Sequence, residues 1–380
     1  MAVRVQEFMH IPEQPRQGNP DRYPTKHTLA ALVAIRRRFA TKFVPSPWIF
    51  WGDFLLSIGL GWFTFFSAAT IPLASTPYIL ITGLSILAFL RAAIFIHEIA
   101  HLKRGALPGF EIAWNLFVGL PFLLPSLMYD SHGDHHRNTT FGTVRDPEYA
   151  PIASWGHLRI GGFVVSSVCI PLLLAFRWGF VGPLSFLMSP LRRVVLERGS
   201  SLIINPSYRC PPPQKREARR WVRQEVATVL TFWTIIVLAY PGWIPLRWLG
   251  QWYVISAGVL LLNQIRTLAA HRYTNEGQQL TTVEQLLDSV NLTGWPLPTV
   301  LAAPLGLRYH ALHHFLPTVP YHSLGALHRR LIAELPLDSP YRLTEERGIF
   351  AAIFTLLRQS GIVPSLEAEA VTAPPASKEA

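Results

Sequence analysis

Apolar residues along this chain fall in long runs, not in the alternating or three-to-four spacing of half-buried strands and surface helices. Trp48 to Ala69 carries Asp53 as its only charge, and Tyr78 to Ile96 carries only Arg91. Val226 to Trp243 carries none, and Trp252 to Ala270 carries only Arg266. Each run approaches the roughly 20 residues that a helix needs to cross a bilayer. The pattern predicts an all-α membrane protein with four transmembrane helices, about 48–69, 78–96, 226–243 and 252–270, arranged as two hairpins. Two further apolar stretches are interrupted, Ile112 to Met128 by Gly119, Pro121 and Pro125, and Gly162 to Met188 by Pro171 and Arg177. Proline and charge break a spanning helix, so both are expected to lie in the interface or to dip in and out.

Charge between the runs sets the expected topology. Arg36, Arg37, Arg38 and Lys42 precede the first run, whereas Thr70 to Pro77 contains no charge. Excess Lys and Arg marks cytoplasmic loops, which places both termini on the cytoplasmic side of a multi-pass protein. Residues 1–42 read as a tail and a basic helix, 43–350 as the membrane unit, and 351–380 as a helix end and a disordered tail. The first 27 residues are polar and proline-rich, with no cleavable signal peptide visible.

Composition agrees. Half of the 380 residues are hydrophobic and 15% are charged, against about a quarter charged in soluble proteins. The net charge of +11 is accounted for by basic cytoplasmic loops; nucleic-acid binding does not fit a chain this apolar. Two cysteines, Cys169 and Cys210, exclude a disulfide framework and a four-cysteine iron–sulfur site.

Histidine changes the picture most. Of fourteen, eight stand in three tight clusters: His97 and His101; His132, His135 and His136; His310, His313 and His314. Residues three or four apart share a helix face, and histidine is the commonest side-chain metal ligand. Eight imidazoles exceed what one metal uses and fit two, without choosing between iron and other imidazole-binding metals. The first cluster also satisfies the His-Glu-x-x-His pattern of zinc proteases, with Glu98 as general base, but that reading leaves six histidines unexplained. Isolated histidines such as His10, His157 and His328 need no special role, and His322 divides between support of the third cluster and packing. Glu98, Asp134 and Asp146 are candidates to hold metal-bound imidazoles through their second ring nitrogen.

The three clusters, in order, resemble the histidine boxes of the integral-membrane fatty acid desaturase and hydroxylase superfamily. The resemblance runs from about Trp48 to Leu331 and includes Asp146-Pro147 after the second box and the run His313 to His322. It implies a cytoplasmic site with two iron ions, and O2 as co-substrate for oxidation of a lipid acyl chain. It also implies a ninth ligand, His271, by likeness to an Asn-x-Ala-Ala-His sequence in stearoyl-CoA desaturases. Here Thr267 takes the asparagine position and Asn263 lies a turn earlier. Desaturation is the expected reaction, with hydroxylation or ketone formation the nearest alternatives. No cytochrome b5 motif, ferredoxin cysteine set or dinucleotide fingerprint is present, so a separate ferredoxin, rubredoxin or cytochrome b5 is expected to supply electrons.

Overall fold

The computed structural model describes residues 26–39, 43–103, 105–294 and 296–360; His10 and both tails lie outside them. Among the described residues the chain is mainly helical. Helix α1 (Lys26–Phe39) carries the basic cluster. Helices α2 (Pro47–Ala68) and α3 (Thr76–His101) pack along each other as the first expected hairpin. The lone charges of these two apolar runs answer one another: Arg91 Nε donates to Asp53 Oδ1 at 2.7 Å. Tyr321 donates to Asp53 Oδ2 at 2.9 Å, tying the hairpin to the polar part of the molecule. Charges at such depth are costly unless paired, and these are paired.

Helix α4 is a single turn, His132–His135. Helix α5 (His157–Ser185) is a 29-residue helical stretch. It absorbs the expected breaks instead of ending at them. A 3₁₀ turn at Ser167–Cys169 precedes Pro171, and a π turn at Arg177–Val181 precedes Pro183. Irregular turns accommodate a proline whose ring and missing N–H would disrupt a regular helix interior. Arg177 is neutralised by Glu225 at 3.1 Å, which Arg192 also engages. Helix α6 (Lys215–Ala239) follows, then α7 (Leu246–Leu268).

Among the described residues, four helices are long and apolar enough to cross a membrane: α2, α3, α5 and residues Glu217–Ala239 of α6. The expected fourth span, now α7, is not among them, and α5 is. Polar residues Gln251, Asn263, Gln264 and Arg266 dilute the apolar character of α7. Packing nonetheless lays α7 along α3 in the same direction. Near its start, Gln251 accepts from Tyr78 at 2.7 Å and donates to Thr82 at 3.2 Å, while its far end leads to His271, near His101. The second expected hairpin differs from the first. Helix α6 packs on the π-turn half of α5, and α7 on α3 and the 3₁₀ half of α5. Val168 in α5 accepts from Tyr253 near the start of α7, and Ser201, beyond the end of α5, reaches Ser131 beside the second box.

The remainder forms a cap. It contains α8 (Thr282–Asp288), α9 (Pro296–Ala302), α10 (His310–Phe315), α11 (Tyr321–Glu334) and α12 (Ile349–Gln359). Strands β1 (Asn291–Leu292) and β2 (Glu345–Glu346) pair in parallel within it. Helix α1 closes one side, burying Leu32 and Phe39 with Leu312, Phe315, Leu324 and Leu331.

Candidate metal centre

Four local structures carry the nine histidines. His97 and His101 occupy the last turns of α3. His132 and His135 lie on α4, and His136 ends it. His310, His313 and His314 ride on α10, which β1 holds in place: Ala311 N–H donates to Val290 O and Leu312 N–H to Asn291 Oδ1. His271 is placed by a bridge to Ser289 just beyond α7.

These side chains sort into two groups, each with all its ligand atoms within 4.8 Å: His97, His101, His132, His136 and His313; and His135, His271, His310 and His314. Each cluster with three histidines is divided between the groups. His136 and His314, from different groups, stack at 4.2 Å.

In the first group four Nε2 atoms close a circuit. His101–His132, His132–His136 and His313–His101 are each 3.0 Å apart, and His136–His313 is 3.2 Å. Each imidazole has one proton to share, so a closed ring of converging nitrogens beside His97 leaves lone pairs facing one another. His97 is buried with neither ring nitrogen hydrogen-bonded. A cation resolves both problems. Imidazole nitrogens that converge this closely would suit a shared ion of any imidazole-binding metal. In the second group His135–His271 is 3.2 Å, His310–His271 2.9 Å and His314–His310 3.0 Å. The residues present therefore fit two metal ions.

Protonation favours ligation. Burial, with repulsion from neighbouring imidazoles, holds His136, His310, His313 and His314 well below the ordinary histidine range, so they are neutral near pH 7. Acceptors then face the second nitrogens of His132, His135 and His271, whereas an amide nitrogen, a donor, faces that of His314. Nδ1 of His132 lies 2.6 Å from Glu148, which also accepts from Tyr129 at 2.9 Å. Burial would raise the Glu148 carboxyl, but the adjacent His132 outweighs it and brings it down to about 2. Nδ1 of His135 lies 3.0 Å from both oxygens of fully buried Asp146. Gly142 N–H (2.8 Å) and Glu148 N–H (2.9 Å) fix that carboxylate. Gly142 has φ +69°, and a Cβ there would lie 2.2 Å from the Asn275 amide, so only glycine fits. Nδ1 of His271 faces Ser289 at 3.2 Å and Asp288 at 3.3 Å, and the Gln285 amide lies 3.1 Å from Nδ1 of His314.

The candidate supporting carboxylates thus divide. Asp146 meets a box histidine. Glu98 lies 3.5 Å from His97 Nδ1 and accepts from Tyr321 N–H at 3.2 Å. Asp134 turns from the cluster to Arg137 (2.6 Å) and Tyr208 (3.2 Å), because its i+3 neighbour offers a closer cation. Sequence reasoning missed Glu148, Asp288, Ser289 and Gln285. Glu148, two residues beyond Asp146, was within reach of the same reasoning; Gln285 and Asp288 on α8 and Ser289 at its C-terminal cap follow a Thr281–Glu284 capping box that marks a helix start but no ligand support. His322 packs on Phe50 and accepts from Ser46 N–H, away from both groups. His157 contacts Leu357 O and His328 accepts from Tyr341. Thr267 donates to Asn263 O within α7.

An apolar cavity lined by Phe89, Ala93, Val118, Phe122, Leu174 and Val259 begins one helical turn from His97 along α3.

Two histidine groups that could hold metal ions, beside helices long and apolar enough to cross a membrane, are what a membrane metalloenzyme would present. Residues 72–345 match the family model of fatty acid desaturases, and the chain belongs to the fatty acid desaturase family. A protein of Caulobacter vibrioides (strain NA1000 / CB15N) named ceramide hydroxylase is 40% identical over 319 residues, 83% of this chain and 90% of that protein. No solved structure matches. The chain is thus an oxidoreductase of the desaturase and hydroxylase superfamily, and the protease reading of His97 to His101 falls away.

Proposed function

We propose that the protein oxidises a methylene of a membrane lipid chain with O2 at two iron ions, held by the two histidine groups. The closed circuit of Nε2 atoms around the first group is the observation that carries this reading. An unactivated C–H has no useful acidity, so the iron pair supplies the one-electron chemistry that side chains lack. The protein's own part is placement. The apolar cavity beside α3 takes the chain and excludes water, and Glu148, Asp146 and Ser289 hold imidazoles with Nε2 turned to the metals. Electrons come from a separate ferredoxin, rubredoxin or cytochrome b5.

Two outcomes use the same inputs, O2 with two electrons from the donor and two protons. Loss of hydrogen from two adjacent carbons gives an alkene and two waters, and insertion of one oxygen atom into a C–H bond gives an alcohol and one water. Family membership supports desaturation. The relative named as a ceramide hydroxylase supports hydroxylation of a ceramide, and at 40% identity we give that outcome equal standing. The geometry is common to both. Crossing by α2, α3, α6 and α7, with α5 returning to the side it left, keeps all nine histidines on one face. The basic stretch at Arg36 to Arg38 supports a cytoplasmic placement of that face and of both termini.

Mass spectrometry of lipids from a host expressing the protein or His136→Ala tests the reading. New unsaturated chains present only with the unsubstituted protein identify a desaturase, and lipids gaining one oxygen identify a hydroxylase. Absence of both, with ceramide supplied and an active donor present, refutes the proposal.

A further inference from the structure

Outside the metal centre, one surface has no role in the reading above. Helix α12 is 11 residues long, too short to span a bilayer, yet strongly two-sided. Ile349, Ala352 and Leu356 are buried, while Phe350 and Phe354, one turn apart, are 64% and 60% exposed. Beside it, α9 carries no charge in Pro296–Ala302 and exposes Leu297 (68%), Val300 and Leu301.

The fold brings these faces together. Parallel pairing of β1 with β2 starts the two segments side by side, and Gly294 lets them close up: a Cβ there would lie 2.1 Å from Arg347 O. Both helices pack on α7, and Ala302 and Ile353 join the same apolar core as Leu262 and Ile265 in its last turns. His157 Nε2 at 3.0 Å from Leu357 O joins α12 to the start of α5, where Leu158 is also exposed. The apolar face is therefore continuous with helices that enter the membrane. Its edge is basic: Arg159, Arg347 and Arg358 are exposed, with Arg159 over Trp155 (4.3 Å) and Arg358 over Phe354 (5.4 Å). The nearby acids are turned inward, Glu346 toward Arg272 at 3.4 Å and Glu345 toward His328 at 3.5 Å.

We propose that α9 and α12 form a membrane-surface site, whose Leu297, Leu301, Phe350 and Phe354 enter the acyl region of one leaflet. Arg159, Arg347 and Arg358 engage anionic lipid headgroups above it. An apolar stripe bounded by arginines, on helices too short to span, has the chemistry of an interfacial helix. The buried face of α12 has a second consequence. Ala352, Thr355, Leu356 and Gln359 wall a small cavity that reaches His271, so this helix stands between the leaflet and the second histidine group.

The test uses the full-length protein in lipid nanodiscs, with Cys169→Ser and a nitroxide at Leu297→Cys or Phe354→Cys; Arg145→Cys, in the exposed loop beyond the second box, marks the water phase. Labels at 297 and 354 are expected to collide with O2 and to be shielded from a water-soluble nickel chelate. Collision with nickel as frequent as at 145 overturns the proposal, and so does shielding from both reagents, which would mean that protein covers the face. Replacing part of the phosphatidylcholine with phosphatidylglycerol should lower nickel access further, and Arg347→Gln with Arg358→Gln should abolish that added shift. An identical response in that variant removes the headgroup contacts. None of these readings depends on turnover, so they hold or fail apart from the proposed reaction.

Discussion

The two histidine groups are built differently. In the second all four residues are buried, and three of the four second nitrogens meet Asp146, Ser289 with Asp288, or Gln285. In the first, His101 and His136 are only partly buried, and Nδ1 of His97, His136 and His313 has no hydrogen-bond partner. Only His132 is held by a carboxylate, Glu148. The protein's own hydrogen bonds orient most rings of the second group and few of the first. Outer partners orient ligands and set their basicity, so this contrast has consequences for affinity.

Removing a ligand gives the largest effect. His310→Ala in the second group and His101→Ala in the first should each abolish oxidised lipid in the expression assay. Metal analysis should show about half the iron in each, since the groups share no residue. Chelation comes next: a graded chelator should strip the less organised first group before the second, giving two phases of iron release. A single phase would erase the distinction. Asp146→Asn should lower metal affinity at the second group about 10- to 100-fold. The amide would also turn a donor toward Gly142 N–H or Glu148 N–H, so thermal stability should drop as well. Glu148→Gln should act on the first group alone, toward the lower end of that about 10- to 100-fold range, because one ligand of five is affected. Asp134→Asn should change iron content least, since Asp134 holds Arg137 and not a histidine. In the apolar cavity proposed to take the lipid chain, Ala93→Phe should shift the position of oxidation or the preferred chain length without altering iron content, read by product mass spectrometry.

Much of this was legible in the chain. Long apolar runs mark α2, α3 and α6 because a bilayer demands about 20 such residues, whatever their neighbours. Histidine spacing marked every box ligand, since i+3 and i+4 positions share a face within a single turn. Helix α5 was misread in its local form: Pro171 and Arg177 stand within one continuous helical stretch, because 3₁₀ and π turns and Glu225 absorb them. Glu225 lies 48 residues from Arg177, and no local pattern announces such a pairing.

The sequence by itself determined the mainly helical fold with long apolar helices and the histidines that stand as candidate metal ligands, because these follow from composition and short-range periodicity. Tertiary structure alone decided which histidines converge in one group. His135 and His136 are adjacent in the chain but belong to different groups, since neighbouring residues on a helical turn point about 100° apart. It alone decided, too, that helix α8 stands behind His271 and His314, for contacts between segments far apart in the chain depend on packing, which no spacing encodes.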